Sequence, residues 1–309
     1  MNRTAIPYVD FSFSPIKFRT PEGRSAWHCE KTSAGCQKCY AERLELGRFG
    51  SGRPFTKEDG KDLTLFLDKK ELSAPLRLKK PAVIFIGDMS DYFGSWIPFP
   101  FIDMILLVAA LTPGNTYLML TKRAEIMKQY FDQPNLQDRI EKLMLFPDIL
   151  PPGFPFPRAV ADWPLPNLWC GVTCENQDMF DLRWPLLEET NCAHRWISHG
   201  PALSGLDLDP DKGPAHALGC GGGSDCEFCH ETKKNRKVEF VVSEGMSGPG
   251  FVPDQDEWYI PLSQQCLEAG VPFMLKQRAG VHPEKLPKLD GAVWDSTPWK
   301  LQPKVAKKK

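Results

Sequence analysis

Cys29, Cys36 and Cys39 fall within eleven residues, in the stretch AWHCEKTSAGCQKCYAERLELG at 26–47. Six residues separate the first pair and two separate the second. Three thiolates on one loop support two kinds of chemistry. With a fourth ligand from elsewhere they close a tetrahedral zinc site. Alternatively they hold three corners of a 4Fe-4S cluster, which normally takes four cysteines, and so leave one iron open. S-adenosylmethionine suits an open iron, because its amino and carboxylate groups chelate it. One electron from the cluster then breaks the neighbouring carbon–sulfur bond. In such chemistry the cofactors do the hard step and the protein orients them. Unbound thiols are the third reading of the same spacing. Tyr40, directly after Cys39, packs against a cofactor on the iron–sulfur reading and is plain core on the others.

A second cluster lies in CGGGSDCEFCH: Cys220, Cys226 and Cys229, followed at once by His230. Its glycines let the backbone fold tightly round a metal. His230, His216, Cys192 or Cys266 is available as a fourth ligand. An auxiliary iron–sulfur cluster and a structural zinc knob both fit. The surrounding stretch, 207–237, is Gly-rich and polar and reads as an insertion that carries this metal site.

The elements that must position these groups are legible as short apolar runs. They are YVDFSF (8–13), AVIFIG (82–87), TYLMLT (116–121), LWCGVT (168–173), HRWIS (194–198), VEFVVS (238–243) and VPFMLK (271–276). They are continuous rather than alternating, as strands buried on both faces of a parallel sheet are. Helical patterns lie between most of them, among them CYAERLELG, FIDMILLVAAL, TKRAEIMKQYF, ENQDMFDLRWPLLEE and DEWYIPLSQQCLEAG. Gly270 stands where a helix C-terminus needs a left-handed residue. This order predicts an α/β domain over 1–309, a partial or full parallel (β/α) barrel, with a doubly wound open sheet as the competitor. The first cysteine loop then follows the first strand, and chemistry in such barrels sits after strand C-termini. The proline-rich stretch FPDILPPGFPFPRAVADWPLPN reads as a surface loop.

The chain has 309 residues, ten cysteines and a net charge of −1, so bulk charge does not argue for nucleic acid or a membrane surface. The local excesses are KKNRK and the basic tail at 303–309. The apolar run MILLVAAL is too short to span a bilayer, and no signal-peptide pattern opens the chain. A cytoplasmic protein with no membrane partner is expected. Clustered cysteines in that compartment suggest metal rather than disulfides.

Taken together, CEKTSAGCQKCYAERL, IFIGDMSDYF, LMLTKRAE, WCGVTCENQ, ISHGPALSGLDL, SEGMSGPG and GVPFMLKQ resemble the phage-associated, radical-SAM-like proteins of uncharacterised function. These are often encoded beside three-Cys-motif partner proteins. The resemblance covers most of the chain, and the six-and-two cysteine spacing is that family's own. It implies a radical-SAM barrel, a 4Fe-4S cluster on Cys29, Cys36 and Cys39, and S-adenosylmethionine. An electron donor of flavodoxin or ferredoxin type and a three-Cys-motif partner protein are implied as partners. A nucleotide or nucleic acid is the substrate class that context and cations suggest.

By the same resemblance Gly87, Asp88, Ser90 and Asp91 approach the methionine amino group. Thr121, Lys122 and Arg123 meet the cofactor carboxylate or a substrate phosphate. Glu175, Asn176 and Gln177 bond ribose or substrate, while Ser243, Glu244, Ser247, Lys276 and Gln277 complete the set. Two acidic positions of the family are absent. Gly200 stands where a Ser-x-Glu-Pro motif has Glu, and Met246 where a Gly-Gly-Glu-Ser-Gly motif has Glu. Either the site is altered, or His199 and Glu244 replace those carboxylates from adjacent positions. A zinc-stabilised nucleic-acid-binding protein, and a family member that has lost catalysis, are the alternative readings.

Overall fold

The structure is a computed structural model, describing residues 1–48, 50–144, 162–209, 218 and 237–299. The second cysteine cluster (Cys220, Cys226, Cys229, His230), His216, the basic tail and most of the proline-rich stretch lie outside the described residues. The chain divides into two compact units, 1–173 with 183–194, and 174–182 with the chain from 195 onward.

In the first unit, β1 (Asn2–Arg3), β2 (Phe11–Phe13), β6 (Val83–Ile86), β7 (Thr116–Thr121) and β8 (Leu168–Thr173) are hydrogen-bonded in that order. All pairings after the antiparallel β1–β2 are parallel. Every residue of β8 is buried, which explains a run with no polar alternation. Between β2 and β6 the chain builds a separate antiparallel sheet, β4 (Ser25–Ala26), β3 (Ile16–Arg19) and β5 (Thr64–Leu67), in the order β4-β3-β5. Pro15 separates β2 from β3 and has no N–H for a ladder. The cysteine loop therefore follows β4 of this small sheet, not β2 directly as the sequence suggests.

Helices cover the sheet of this unit. α1 spans Tyr40–Leu46, and the short α2 (Lys57–Gly60) and α3 (Lys69–Leu72) follow. Thr56 caps α2 by accepting from Asp59 N at 3.2 Å, and Asp68 caps α3 by accepting from Glu71 N at 3.0 Å. α4 (Phe99–Leu111) has prolines at its start, where a missing N–H costs nothing, and buries Ile102, Ile105, Leu106, Leu107 and Val108. Its one buried charge, Asp103, accepts from Tyr130 Oη at 2.8 Å and from Nε and Nη2 along one edge of the Arg139 guanidinium. Tyr130 lies on α5 (Ala124–Phe131) and Arg139 on α6 (Leu136–Leu143), so one carboxylate ties three helices.

In the second unit β10 (Phe240–Glu244) pairs in parallel with β9 (His194–His199) on one side and β11 (Phe273–Gln277) on the other. α7 (Gln177–Glu189) begins in this unit, and α8 (Asp256–Glu268) precedes β11. α8 stops as the sequence predicts. Gly270 adopts φ +67°, Val271 N donates to Cys266 O at 2.8 Å, and Gly270 N donates to Leu267 O at 3.1 Å. Those two bonds make a Schellman motif. A small hairpin, β12 (Lys288–Leu289) and β13 (Ala292–Val293), follows. Among the described residues no helix is long and apolar enough to cross a membrane.

Candidate functional site

The thiols of Cys29, Cys36 and Cys39 are free of disulfides, and all three residues are half-buried. Cys29 and Cys39 pack with Trp27 against a buried patch of Ala41, Phe55 and Met89. Cys36 ends a short 3-10 turn, Ala34–Cys36, with Ser33 Oγ 3.9 Å from its sulfur. Cys39 stands at the N-cap of α1, yet its side chain makes no capping bond, which leaves the thiol available. Lys31, between the first two cysteines, pairs with Glu42 of α1 at 2.9 Å and clasps the loop to the helix.

Burial pushes the Cys29 thiol up to about 12. The Asp91 carboxylate adds to the rise, while the Arg123 guanidinium and the Asp91 backbone N–H oppose it. Arg123 is the centre of this corner. It donates to Asp91 Oδ2 at 2.9 Å and to the Glu30 carbonyl at 2.7 Å, and it lies 4.7 Å over the Trp96 ring. Asp91 also accepts from Thr121 Oγ1 at 2.7 Å, Lys122 N at 3.1 Å and Phe93 N at 3.1 Å. One carboxylate thus staples the turn after β6 to the end of β7.

The turn itself needs its glycine. Gly87 has φ +74°, and a Cβ there would stand 3.0 Å from Ser90 O. Asp88 accepts from Ser14 Oγ, and burial raises its carboxyl above the usual range despite serine hydrogen bonds that pull it down. Tyr40 Oη donates to the Asp88 carbonyl, so this phenol fastens α1 to the turn. Asp88 and Lys122 follow adjacent parallel strands, as expected of strand-end motifs. Among the described residues Lys122 makes no ion pair.

The second unit gathers Glu175, His199, Ser243, Glu244 and Lys276. His199 is fully buried. Its Nε2 lies 2.9 Å from the Ser204 carbonyl, which can only accept, so Nε2 carries the proton. Nδ1 then accepts from Ser243 Oγ at 2.8 Å. Burial lowers the His199 pKa to about 4, against smaller opposing effects of the Ser204 carbonyl and Glu175. The ring is a neutral strut between β9 and β10. Glu244 pairs with Lys276, and both side chains are partly exposed.

Gly200 explains the posture of Glu244. A Cβ on Gly200 would stand 2.4 Å from Glu244 Cγ and 2.7 Å from its Oε1. A side chain at 200 and this placement of Glu244 exclude each other. Glu244 therefore occupies the space that a side chain at 200 would take, while both ring nitrogens of His199 are bonded internally. Met246 is buried, where an unpaired carboxylate would be costly.

Asn176 and Gln177 have other duties. Asn176 Oδ1 accepts from Met179 N at 3.0 Å, the N-cap bond of α7. Gln177 accepts from Asp207 N at 2.8 Å and donates to Asp207 O at 3.1 Å and Asp181 Oδ1 at 2.8 Å. Gln265 holds the same Asp207 from α8. Ser247 bridges in parallel to Gly280 through its backbone.

Among the described residues no group of three or more His, Cys, Asp or Glu converges as a single-ion site. Three free cysteines on one loop fit the donor chemistry of a thiolate-held cluster. So do three buried donors near the loop that have no partner among the described residues, Trp27 Nε1, Ser90 Oγ and Trp96 Nε1. Thiolate-bound sulfur accepts hydrogen bonds from such groups. Trp27, Trp96 and the Glu30 carbonyl are site features that the sequence did not single out. Their one sequence signal is nearness to the cysteines and to the GDMSD turn.

No curated protein and no solved structure matches the chain. A family model described as a protein of unknown function, DUF5131, matches residues 4–303, and the chain belongs to that family.

Proposed function

We propose that the chain is an iron–sulfur, S-adenosylmethionine-dependent radical enzyme with a barrel of radical-SAM type, acting in the cytoplasm on a nucleotide or nucleic-acid-related substrate. The observation that carries this reading is the Cys29–Cys36–Cys39 loop. Its thiols are free of disulfides, and a strand-end network of Asp91 and Arg123 bears on Cys29. Parallel strands joined through helices, in each unit, support the barrel. When bound, the cluster and S-adenosylmethionine supply reductive cleavage of a carbon–sulfur bond.

The chain's own residues do the rest. Cys29, Cys36 and Cys39 hold the cluster, and the apolar patch beneath them excludes water. Asp88, half-buried at the Gly87 turn, is the anion for a ligand ammonium. Lys122 is the cation for a carboxylate or phosphate. Glu244 is held partly exposed against Lys276. His199 stays neutral and positions Ser243. A flavodoxin or ferredoxin delivers the electron, and a three-Cys-motif protein is the proposed partner.

The test begins with Cys220, Cys226 and Cys229 all replaced by Ala, so that iron reports the first loop alone. Anaerobic reconstitution should yield a brown protein with about four irons per chain. Cys29→Ala, Cys36→Ala or Cys39→Ala should each abolish both iron and colour. Reduced with dithionite, the loaded protein should release methionine and 5′-deoxyadenosine. A colourless protein that takes zinc at this loop refutes the proposal.

A further inference from the structure

We infer that the Asp91–Arg123 pair sets the reduction potential of the group held by the Cys29 loop; this rests on the iron–sulfur reading above. The two side chains form an ion pair at 2.9 Å and are only 11% and 10% exposed. Both act on one sulfur. The Asp91 carboxylate and backbone N–H and the Arg123 guanidinium all bear on the charge of the Cys29 thiol, and Arg123 reaches the carbonyl of the next residue, Glu30, at 2.7 Å. Arg123 cannot swing away. Its second terminal nitrogen is fixed on the Glu30 carbonyl, one residue beyond Cys29, and its face is against Trp96. Asp91 is as firmly held, by Thr121, Lys122 N and Phe93 N.

A fixed positive and a fixed negative charge therefore flank the same ligand in a site largely shielded from water. Charge interactions are far stronger there than in solvent. The reduction potentials of thiolate-bound iron clusters follow net charge and hydrogen bonds to sulfur. Reduction adds one electron, taken from the external donor, so a nearby cation favours the reduced state and a nearby anion opposes it. The competing account makes the pair a structural staple between β6, β7 and the cysteine loop. A staple can lose iron when cut, but it gives no reason for two mutations to move a potential in opposite directions.

The experiment is a dye-mediated redox titration of the iron-reconstituted full chain in the Cys220/Cys226/Cys229→Ala background, followed by bleaching of its visible band. Arg123→Gln should lower the midpoint potential. Asp91→Asn should raise it. Arg123→Lys, which keeps the charge, should return the midpoint toward wild type. Equal potentials at full iron content, or shifts of the same sign, overturn the inference and leave the iron–sulfur reading standing. If Asp91→Asn does not fold, the Arg123 pair decides, and identical midpoints for Gln and Lys overturn the inference. A wild-type loop that takes up no iron overturns the reading and the inference together.

Discussion

The corner round Cys29 in the first unit and the cluster round His199 in the second use polar side chains in opposite ways. Around His199 the polar groups satisfy one another. Both ring nitrogens are bonded, Asn176 caps a helix, and Gln177 clamps Asp207. Around Cys29 groups are left over. The Cys39 thiol makes no capping bond, and among the described residues Trp27 Nε1, Ser90 Oγ and Trp96 Nε1 lack partners and Lys122 has no ion pair. Buried donors without partners are costly, so where they collect, a ligand is the economical explanation. Strand-end position alone does not tell the two regions apart. Satisfaction of hydrogen bonds at the strand ends does, although Asp209 Oδ1 and Thr297 Oγ1 of the second unit also lack partners among the described residues.

The largest stability effect expected in the second region comes from His199. Its folded pKa, about 4, lies below the ordinary 6.5. The unfolded chain then binds more protons between those values, so stability falls as the pH drops from 6.5 toward 4 and is fully present above 6.5. The loss at the acid end is about 3 kcal/mol. His28, also lowered chiefly by burial, adds in the same direction. Urea midpoints measured across this window should slope upward with pH, and His199→Gln should flatten that slope. An unchanged slope in the variant would show that this ring does not carry the linkage, and would weaken its contrast with the cysteine corner.

Next in size is Gly200→Ala. The added carbon meets Glu244 at 2.4 Å. Overpacking of this kind costs about 1–3 kcal/mol, unless Glu244 leaves its pairing with Lys276. Glu244→Gly should cancel most of the cost, and a double-mutant cycle by urea denaturation measures the coupling. Additive effects would mean that the two positions do not share one space. The same cycle sharpens the regional comparison, because neither substitution should alter iron uptake at the cysteine loop.

Much of this was legible in the chain. β7 and β8 coincide with the runs TYLMLT and LWCGVT, because strands buried on both faces leave an unbroken apolar signature. Gly270 announced the end of α8 for a backbone reason. The small β4-β3-β5 sheet left no such trace. β4 has two residues, and Phe18 of β3 pairs with Leu65, distant in sequence. In the site, Cys29 was readable from its spacing, and Asp88 and Asp91 from the family resemblance. What Arg123 does was not, since its partners include a carbonyl and a ring face, which no residue code specifies. Gly200 read as a missing carboxylate, and only the structure shows Glu244 lying across it.

The smallest effect belongs to Asn176. It lies after β8 among polar residues that look like ligand contacts, but its amide oxygen accepts from Met179 N at 3.0 Å and closes the first turn of α7. Replacing an N-cap by Ala costs about 1 kcal/mol. Asn176→Ala should lower stability by that amount, whereas Asn176→Asp, an equally good cap, should restore it. Binding of S-adenosylmethionine, followed by calorimetric titration of the reconstituted protein, should be the same in all three. If Asn176→Ala instead weakens that binding while Asn176→Asp keeps the stability and loses the affinity, the amide contacts ligand as well as capping the helix. The second region would then be more than a set of groups that hold one another.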